Sequence, residues 1–258
     1  MIRAPWRTPE FRRRGFGLFR LRTWIFLLGL LSGLAALVAL GFYVRYAHLA
    51  SQFDLEELGK MPERTKVYDV KGKLIGRLHG MNRDVIPLDE TSRYFIDALL
   101  AREDTSFFEH RGVDYKGVVR AVVRNIKDGE FVQGASTISM QLARNSYGLM
   151  DRTLHRKLVE VMLTRRIESG ISKNKILELY INRIFFGSGI YGLERASQAY
   201  FGIPASNLTL GQAATLAGII RSPNRFSPIK NLAGAVSERD TELGRMVSIG
   251  KIAEEVAM

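Results

Sequence analysis

The sequence predicts a mainly α-helical domain with a small β-hairpin element, preceded by one transmembrane helix. Three observations predict this class. One long uncharged apolar run lies near the N-terminus, one pair of short alternating segments spans residues 66–78, and helical periodicity of apolar residues dominates from Ser92 onward. The 258 residues are 46% hydrophobic and 25% charged, which is an ordinary balance for one globular core.

The charge and the cysteine count limit the classes of function. The net charge is +12, and half of it comes from seven arginines in residues 1–23, a basic tail with one acidic residue. A basic balance fits a nucleic acid, an anionic membrane or a phosphate-bearing substrate. No cysteine is present, so disulfides, thiolate nucleophiles and cysteine-based zinc sites are excluded.

Residues 24–44 form the predicted transmembrane helix. They contain no charge and no proline over about 21 residues, the length that a helix needs to cross a hydrocarbon core. A cleaved signal peptide is the alternative, but the run is long for one and no Ala-x-Ala-like site follows in residues 46–52. The positive-inside bias predicts a single-pass protein of the cytoplasmic (inner) membrane, with the tail in the cytoplasm and the domain outside. A nucleic-acid partner is therefore not expected.

The remaining chain divides into three predicted parts. Residues 45–63 are a polar stalk, residues 64–250 are the folded domain, and residues 251–258 begin a linker or a C-terminal tail. A β-hairpin is predicted around a turn at residues 69–72. Apolar periodicity predicts helices near residues 116–127, 137–147, 152–168, 172–185, 189–200, 210–221 and 232–247.

Residues 102–112 are the first segment that suggests chemistry. Two adjacent carboxylates, Glu103 and Asp104, follow an apolar helix, and His110 lies seven residues after Glu103. A positioned carboxylate and a nearby histidine are common in acid–base catalysis. The pattern alone fits equally a solvated helix end with a structural histidine.

Two further segments suggest anion binding. In residues 133–145 a glycine leads into Ser136 and Thr137, which can cap a helix whose N-terminus attracts an anion; an ordinary N-cap is the alternative. In the next helix, Arg152, Arg156 and Glu160 share one face because they are four residues apart. Such cations suit a pyrophosphate, although a charged solvent-facing surface has the same pattern.

In this order and spacing, these segments resemble the motifs of the peptidoglycan glycosyltransferases, the family shared by class A penicillin-binding proteins and monofunctional glycosyltransferases. The resemblance covers roughly residues 64–250. The matching patterns are E-D-x-x-F-x-x-H-x-G at 103–112, G-x-S-T-I-x-x-Q-L-x-[KR]-N at 134–145, R-K-x-x-E at 156–160, I-L-E-L-Y-x-N at 176–182, and a fifth segment at 213–223.

The resemblance implies a lysozyme-like helical glycosyltransferase domain that polymerises lipid II with inversion and releases undecaprenyl pyrophosphate. It implies that Glu103 is the general base for the acceptor hydroxyl. It also implies that Glu160 is the second catalytic glutamate, close to the pyrophosphate, where it orients basic residues or a cation. The implied substrate-binding residues are Asp104, Phe107, His110, Ser136, Thr137, Gln141, Arg144, Asn145, Arg152, Arg156 and Lys157.

The resemblance also implies the cofactors and partners. No cofactor is required and no residue is assigned to a metal, although Mg²⁺ or Mn²⁺ could assist at the pyrophosphate. The expected partners are lipid II, the growing glycan strand, the membrane, and proteins of cell-wall synthesis or division. A lysozyme-like hydrolase is the rival enzyme. An inactive anchored protein that binds lipid II is the rival from another class.

Three departures from the family pattern bear on the site. Ala135 stands where the family usually has a second glycine, Arg144 where many relatives have lysine, and Thr164 where a small residue is usual. None of them removes a titrating group. The transpeptidase motif K-[ST]-G is not present, so the S-x-x-K matches at residues 172–175 and 248–251 are interpreted as chance.

Overall fold

The computed structural model describes residues 16–62, 65–77, 82–128, 136–151 and 153–257. The chain separates into two compact units, Met1–His48 and Leu49–Met258.

One long helix, α1 (Phe16–Ser51), forms the described part of the first unit and continues into the second. Its Leu21–Ser51 portion is long and apolar enough to cross a bilayer, judged by length and composition. The side chains of residues 21–45 are exposed, as expected for a surface that lipid would cover. Because α1 continues to Ser51, the first residues of the predicted stalk are helical.

The predicted hairpin is confirmed. Strands β1 (Lys66–Tyr68) and β2 (Leu74–Arg77) pair antiparallel. In the turn, two backbone N–H groups donate to Asp69 Oδ1, each at 2.8 Å, and Gly72 has a φ of +77°. A positive φ is readily adopted only by glycine, so the Asp-x-x-Gly pattern specifies this turn.

The second unit is otherwise built from helices, which confirms the mainly helical class. Short 3₁₀ turns lie at Leu55–Leu58, Leu88–Glu90 and Ala205–Asn207. The α-helices are α2 (Arg93–Glu103), α3 (Tyr115–Asp128), α4 (Ile138–Ser146), α5 (Leu154–Gly170), α6 (Lys173–Ile181), α7 (Leu193–Phe201), α8 (Leu210–Ile219), α9 (Leu232–Ser248) and α10 (Glu254–Ala257).

Helix starts are fixed by short polar side chains. A side-chain oxygen of each N-cap accepts a hydrogen bond from a backbone N–H in the first turn, which satisfies a group without a partner inside the helix. The residues that cap α4, α5, α6 and α9 in this way are Thr137, Thr153, Ser172 and Asn231.

The core lies where α2 and α8 cross and extends into α4, α5 and α6. Phe95 and Leu99 of α2 are fully buried there. Helix α8 presents small residues, and a Cβ on Gly218 would lie 2.9 Å from the carbonyl oxygen of Glu238 in α9. Glycine therefore permits the close packing of α8 against α9. The C-terminal end of α2 is held between these helices and α4.

Helix α6 ends earlier than the periodicity predicts, and residues 182–185 are not helical. The cause is a buried amide. Asn182 Oδ1 accepts from the N–H of Ile86 at 3.0 Å, and its Nδ2 donates to the carbonyls of Ile86 and Glu178 at 2.7 and 2.9 Å. This contact with a segment 96 residues earlier ends the helix and closes the core.

We expect Asn182→Ala to lower the free energy of unfolding by about 3 kcal/mol, because it leaves the buried N–H and C=O of Ile86 without partners. The melting temperature, followed by circular dichroism of the full chain in detergent, should fall by roughly 10 °C. Asn207→Ala on the exposed 3₁₀ turn is the matched control and should change stability by under about 0.5 kcal/mol. Equal melting temperatures for the two variants would contradict this role.

Candidate active site

Glu103 is the last residue of α2, and the fold determines its direction. The buried apolar face of α2, with Phe95 and Leu99, fixes the rotation of the helix in the core. Asp104 leaves the helix with a φ of −164°, and its N–H donates to Leu100 O at 3.0 Å to close the last turn. The two adjacent carboxylates therefore point to different surroundings.

The Asp104 carboxylate is buried and ties two segments together. It accepts a hydrogen bond from the N–H of Ile138 at 3.1 Å, at the start of α4, and from His110 Nε2 at 3.0 Å. The N–H of Gly112 donates to His110 Nδ1 at 3.1 Å, so the histidine is the neutral tautomer with its proton on Nε2. Asp104 and His110 thus hold the loop after α2 against α4.

Gly112 allows α5 to pack closely against this loop. Its φ is +92°, and a Cβ there would lie 2.8 Å from Cγ2 of Thr164. Thr137 Oγ1 donates to the carbonyl of Gly112 at 2.5 Å and accepts from the N–H of Met140 at 3.2 Å. Thr164 is accommodated because its hydroxyl donates to the carbonyl of Glu160 at 2.7 Å.

A partly buried hydrogen-bond chain reaches Glu103. Gln141 Nε2 of α4 donates to Glu103 Oε2 at 2.6 Å, and the hydroxyl of Tyr180 donates to Gln141 Oε1 at 3.0 Å. Burial, and then the charge of Glu103, raises the pKa of Tyr180 well above its usual value, so its hydroxyl remains a donor. Within the described residues, the other oxygen of Glu103 has no hydrogen-bond donor.

The basic residues of the third motif form a second cluster around Glu160. Glu160 is fully buried, and its two oxygens pair with Arg156 and with Lys157, whose Nζ lies at 2.7 Å. Lys157 Nζ also donates to Ser136 Oγ at 2.8 Å. Arg156 Nε donates to the carbonyl of Asp151 at 2.6 Å. Glu160 therefore holds two cations rather than presenting a free carboxylate.

Other residues implied by the resemblance lie around these networks. Phe107 is buried, with Lys173 Nζ 4.4 Å from its ring centroid. Arg144 is half-buried and acts on the pKa of Tyr180, and Asn145 is exposed at the end of α4. Within the part of the chain that the structure describes, Arg144 makes no ion pair. Arg152 and Ala135 lie outside the described residues.

An open cleft of about 470 Å³ connects the two networks. Glu103 and Ser136 both line it, and Ser136 also accepts a hydrogen bond from Lys157 of the basic cluster. The remaining lining residues are Asp104, Thr105, Ser106, Asp114, Gly117, Arg120, Ala121, Thr137, Arg245, Ser248 and Ile249.

Several of these lining residues were missed by sequence reasoning. Neither Arg120 nor Arg245 belongs to any of the matched motifs, yet both line the cleft. Asp114 accepts from Ser106 Oγ at 3.0 Å. Burial opposes ionisation of Asp114, but hydrogen bonds from Gly117 and Ser106 lower its pKa. The Asp-x-x-Gly spacing of Asp114 and Gly117 is a local signal that could have identified this turn.

Comparisons with known proteins assign the family. A family model described as transglycosylase matches residues 71–247, more than half of the chain. The chain belongs to the transglycosylase family. It is 40% identical over 194 residues to penicillin-binding protein 1A of Aquifex aeolicus, which covers 75% of this chain and 27% of that protein.

Two more relatives differ in length. A Cupriavidus necator protein with transglycosylase in its name is 45% identical over 169 residues, which is 66% of this chain and 73% of that protein. The solved structure of penicillin-binding protein 1A from Haemophilus influenzae matches with a TM-score of 0.42 and 22% identity, over 77% of this chain and 20% of that one. The chain spans about a quarter of the length of the matched penicillin-binding protein 1A of Aquifex aeolicus.

We expect Glu160→Gln to lower the free energy of unfolding by about 3 kcal/mol, because it leaves Arg156 and Lys157 without their buried counter-ion. Glu57→Gln is the matched control, since Glu57 pairs with Lys60 at the same i,i+3 spacing on an exposed surface. That variant should lose less than about 1 kcal/mol. Thermal unfolding of both variants checks the difference, and equal losses would contradict a structural role for Glu160.

Proposed function

We propose that this chain is a peptidoglycan glycosyltransferase that polymerises lipid II into β-1,4-linked glycan strands, with Glu103 as the general base. The observation that carries the proposal is the geometry of Glu103. One of its oxygens is held by Gln141, and it lines a cleft that Ser136 and Lys157 connect to a basic cluster. Membership of the transglycosylase family supports the same reaction.

The free oxygen of Glu103 is suited to remove a proton from the acceptor hydroxyl. A general base must lie within hydrogen-bond distance of the proton that it removes, and Gln141 restricts the carboxylate to one orientation. The acceptor oxygen then attacks the anomeric carbon of the donor. The bond from that carbon to the pyrophosphate breaks with its electron pair, and the configuration inverts.

The leaving pyrophosphate is already an anion, so its departure depends on cations more than on an acid. Lys157 and Arg156 supply positive charge beside the cleft, and Arg144 adds a guanidinium without a counter-ion within the described residues. Glu160 keeps Lys157 and Arg156 in place. Asn145, Ser136 and Thr137 remain proposed substrate contacts, whereas the internal bonds of Asp104 and His110 favour a positioning role. Phe107 packs in the core.

The donor set around the basic cluster does not fit a metal held by the protein. Divalent cations such as Mg²⁺ prefer carboxylate oxygens, but both oxygens of Glu160 already accept from cations. No cluster of three or more potential metal ligands occurs among the described residues.

The surface of α3 supports a substrate at the membrane. Val119 and Ile126 are 63% and 76% exposed, and the basic side chains of Lys116 and Arg120 are also exposed. An amphipathic helix with a basic face is suited to the interface of an anionic bilayer. Together with α1, it supports a single-pass protein whose domain acts on a lipid-linked sugar, and the basic tail of residues 1–23 favours a cytoplasmic N-terminus with the domain outside.

We expect Glu103→Gln to abolish polymerisation, because an amide cannot accept the proton of the acceptor hydroxyl. The assay incubates the full chain with labelled lipid II in detergent and separates polymer from cleavage products. Glu109→Gln is the matched control, since Glu109 is an exposed carboxylate in the same segment. The proposed role fails if Glu103→Gln still polymerises at the wild-type rate, and short cleavage products from wild type would favour the rival hydrolase.

We expect Arg144→Ala to lower kcat/KM for lipid II about tenfold, the effect of losing one charge-assisted hydrogen bond to a phosphate. Its melting temperature should stay close to that of wild type. Product inhibition by undecaprenyl pyrophosphate should weaken in parallel. Arg165→Ala, which removes an exposed arginine from α5, is the control. Unchanged kcat/KM and unchanged inhibition would reject contact between Arg144 and the pyrophosphate.

A further inference from the structure

A buried charge cluster lies next to Glu103 and has no part in the proposed reaction. Arg102 directly precedes Glu103 in α2. Its NH2 group donates to Glu238 Oε2 at 2.7 Å and to the carbonyl of Gly218 at 3.1 Å, and its NH1 group donates to Glu242 Oε2 at 3.3 Å. The side chains of Arg102, Glu238 and Glu242 are 9%, 12% and 0% exposed. One guanidinium thus joins α2 to both α8 and α9.

Glu242 is the unusual member of this cluster. Its Oε1 is buried and has no hydrogen-bond partner within the described residues. Burial raises the pKa of Glu242 to about 7, although the charges of Arg102 and Arg245 oppose the shift; the charge of Glu103 adds to it. A fully buried carboxyl group that titrates near neutral pH is costly to keep charged. Among the described residues, Arg102 forms ion pairs with two carboxylates, and Glu242 is one of them.

We propose that Arg102 is a positioning residue for Glu103, and that the ionised form of Glu242 strengthens its hold on the last turn of α2. This inference rests on the proposed function of Glu103 as the base. Successive helical residues point about 100° apart. Arg102 can therefore reach α8 and α9 while Glu103 lines the cleft. Because the two residues are consecutive, a shift of the backbone at Arg102 also moves Glu103.

The bonds of Arg102 to Glu238, Glu242 and the carbonyl of Gly218 restrain the C-terminal end of α2, and we call this set of contacts the Arg102 clamp. Helix α2 ends at Glu103, and helix ends fray unless they are held by other groups. Gly218 allows α8 to approach α9 closely, because a Cβ there would meet the backbone of Glu238 at 2.9 Å. Arg102 spans this packed pair, so the end of α2 is fixed by helices that themselves cannot separate easily.

The ionisation of Glu242 changes the strength of that clamp. When Glu242 is neutral, Arg102 has one ionised partner, Glu238. When Glu242 is ionised, its contact with the Arg102 guanidinium at 3.3 Å becomes an attraction between opposite charges, which is stronger than the bond to a neutral carboxyl group because the pair is buried. The hold of Arg102 on α2 therefore increases as the pH rises through 7, even though ionisation of this buried carboxyl group lowers the stability of the fold as a whole. The rate of proton transfer to Glu103 should increase with that hold.

The first test compares the ratio of kcat at pH 8 to kcat at pH 5.5 in the lipid II assay. We expect Glu242→Gln to reduce this ratio about fivefold relative to wild type, because the amide keeps the shape but cannot ionise. Glu238→Gln is the matched control, since it weakens the hold of Arg102 but leaves the titrating group, Glu242, in place. It should lower kcat by the same factor at both pH values. The same ratio in Glu242→Gln as in wild type would overturn the role of Glu242.

The second test does not depend on activity. We expect Arg102→Ala to accelerate amide hydrogen exchange at Asp104, whose N–H closes the last turn of α2, and to lower kcat. Arg102→Lys should be intermediate. Arg93→Ala removes an exposed arginine from the other end of α2 and is the control. The positioning role of Arg102 would be overturned if Arg102→Ala lost kcat without faster hydrogen exchange at Asp104. It would also be overturned if Arg102→Ala and Arg93→Ala had the same exchange rate and the same kcat. Absence of polymerisation by wild type would instead reject the proposed function.

Discussion

The buried carboxylate of Asp104 is the constraint on which the rest of the site depends. A carboxylate that is 7% exposed is stable only when its oxygens are satisfied. Here the N–H of Ile138 and Nε2 of His110 satisfy them, and this joins the end of α2 to the start of α4. Gln141 lies one turn further along α4 and therefore meets Glu103 across the same junction. The position of the base is thus a consequence of the burial of its neighbour.

The site keeps the cations of α5 from pairing with the proposed base Glu103 within the described residues. If Lys157 paired directly with Glu103, it would hold the carboxylate in its ionised form and weaken it as a base. Instead Lys157 and Arg156 pair with Glu160, and Lys157 also donates a hydrogen bond to Ser136 in the lining of the cleft. A buried anion therefore holds cations ready for a phosphate, while a second anion remains available to accept a proton.

Local patterns in the sequence predicted most helices and the hairpin, because each depends on neighbouring residues, whereas the role of Glu103 came from the family resemblance and stays a prediction. Local patterns failed where distant residues meet. Helix α6 ends at Ile181 because Asn182 bonds Ile86, and no local pattern encodes a partner 96 residues away. The pairing of Arg102 with Glu242 spans 140 residues and is equally invisible in the sequence. The effects of Ala135 and Arg152 stay predictions, since both lie outside the described residues.

The start of α4 shows why side chains, rather than a helix N-terminus, must supply the positive charge. The Gly-x-Ser-Thr pattern suggested that free N–H groups there would bind an anion. In the fold, the N–H of Ile138 donates to Asp104 and the N–H of Met140 donates to Thr137. Two of the three N–H groups in the first turn are thus already used to hold the structure together. The positive charge beside the cleft therefore comes from side chains, namely Lys157 and Arg156 of α5 and the lining residues Arg120 and Arg245, so the geometry that fixes the base leaves the leaving group to these cations.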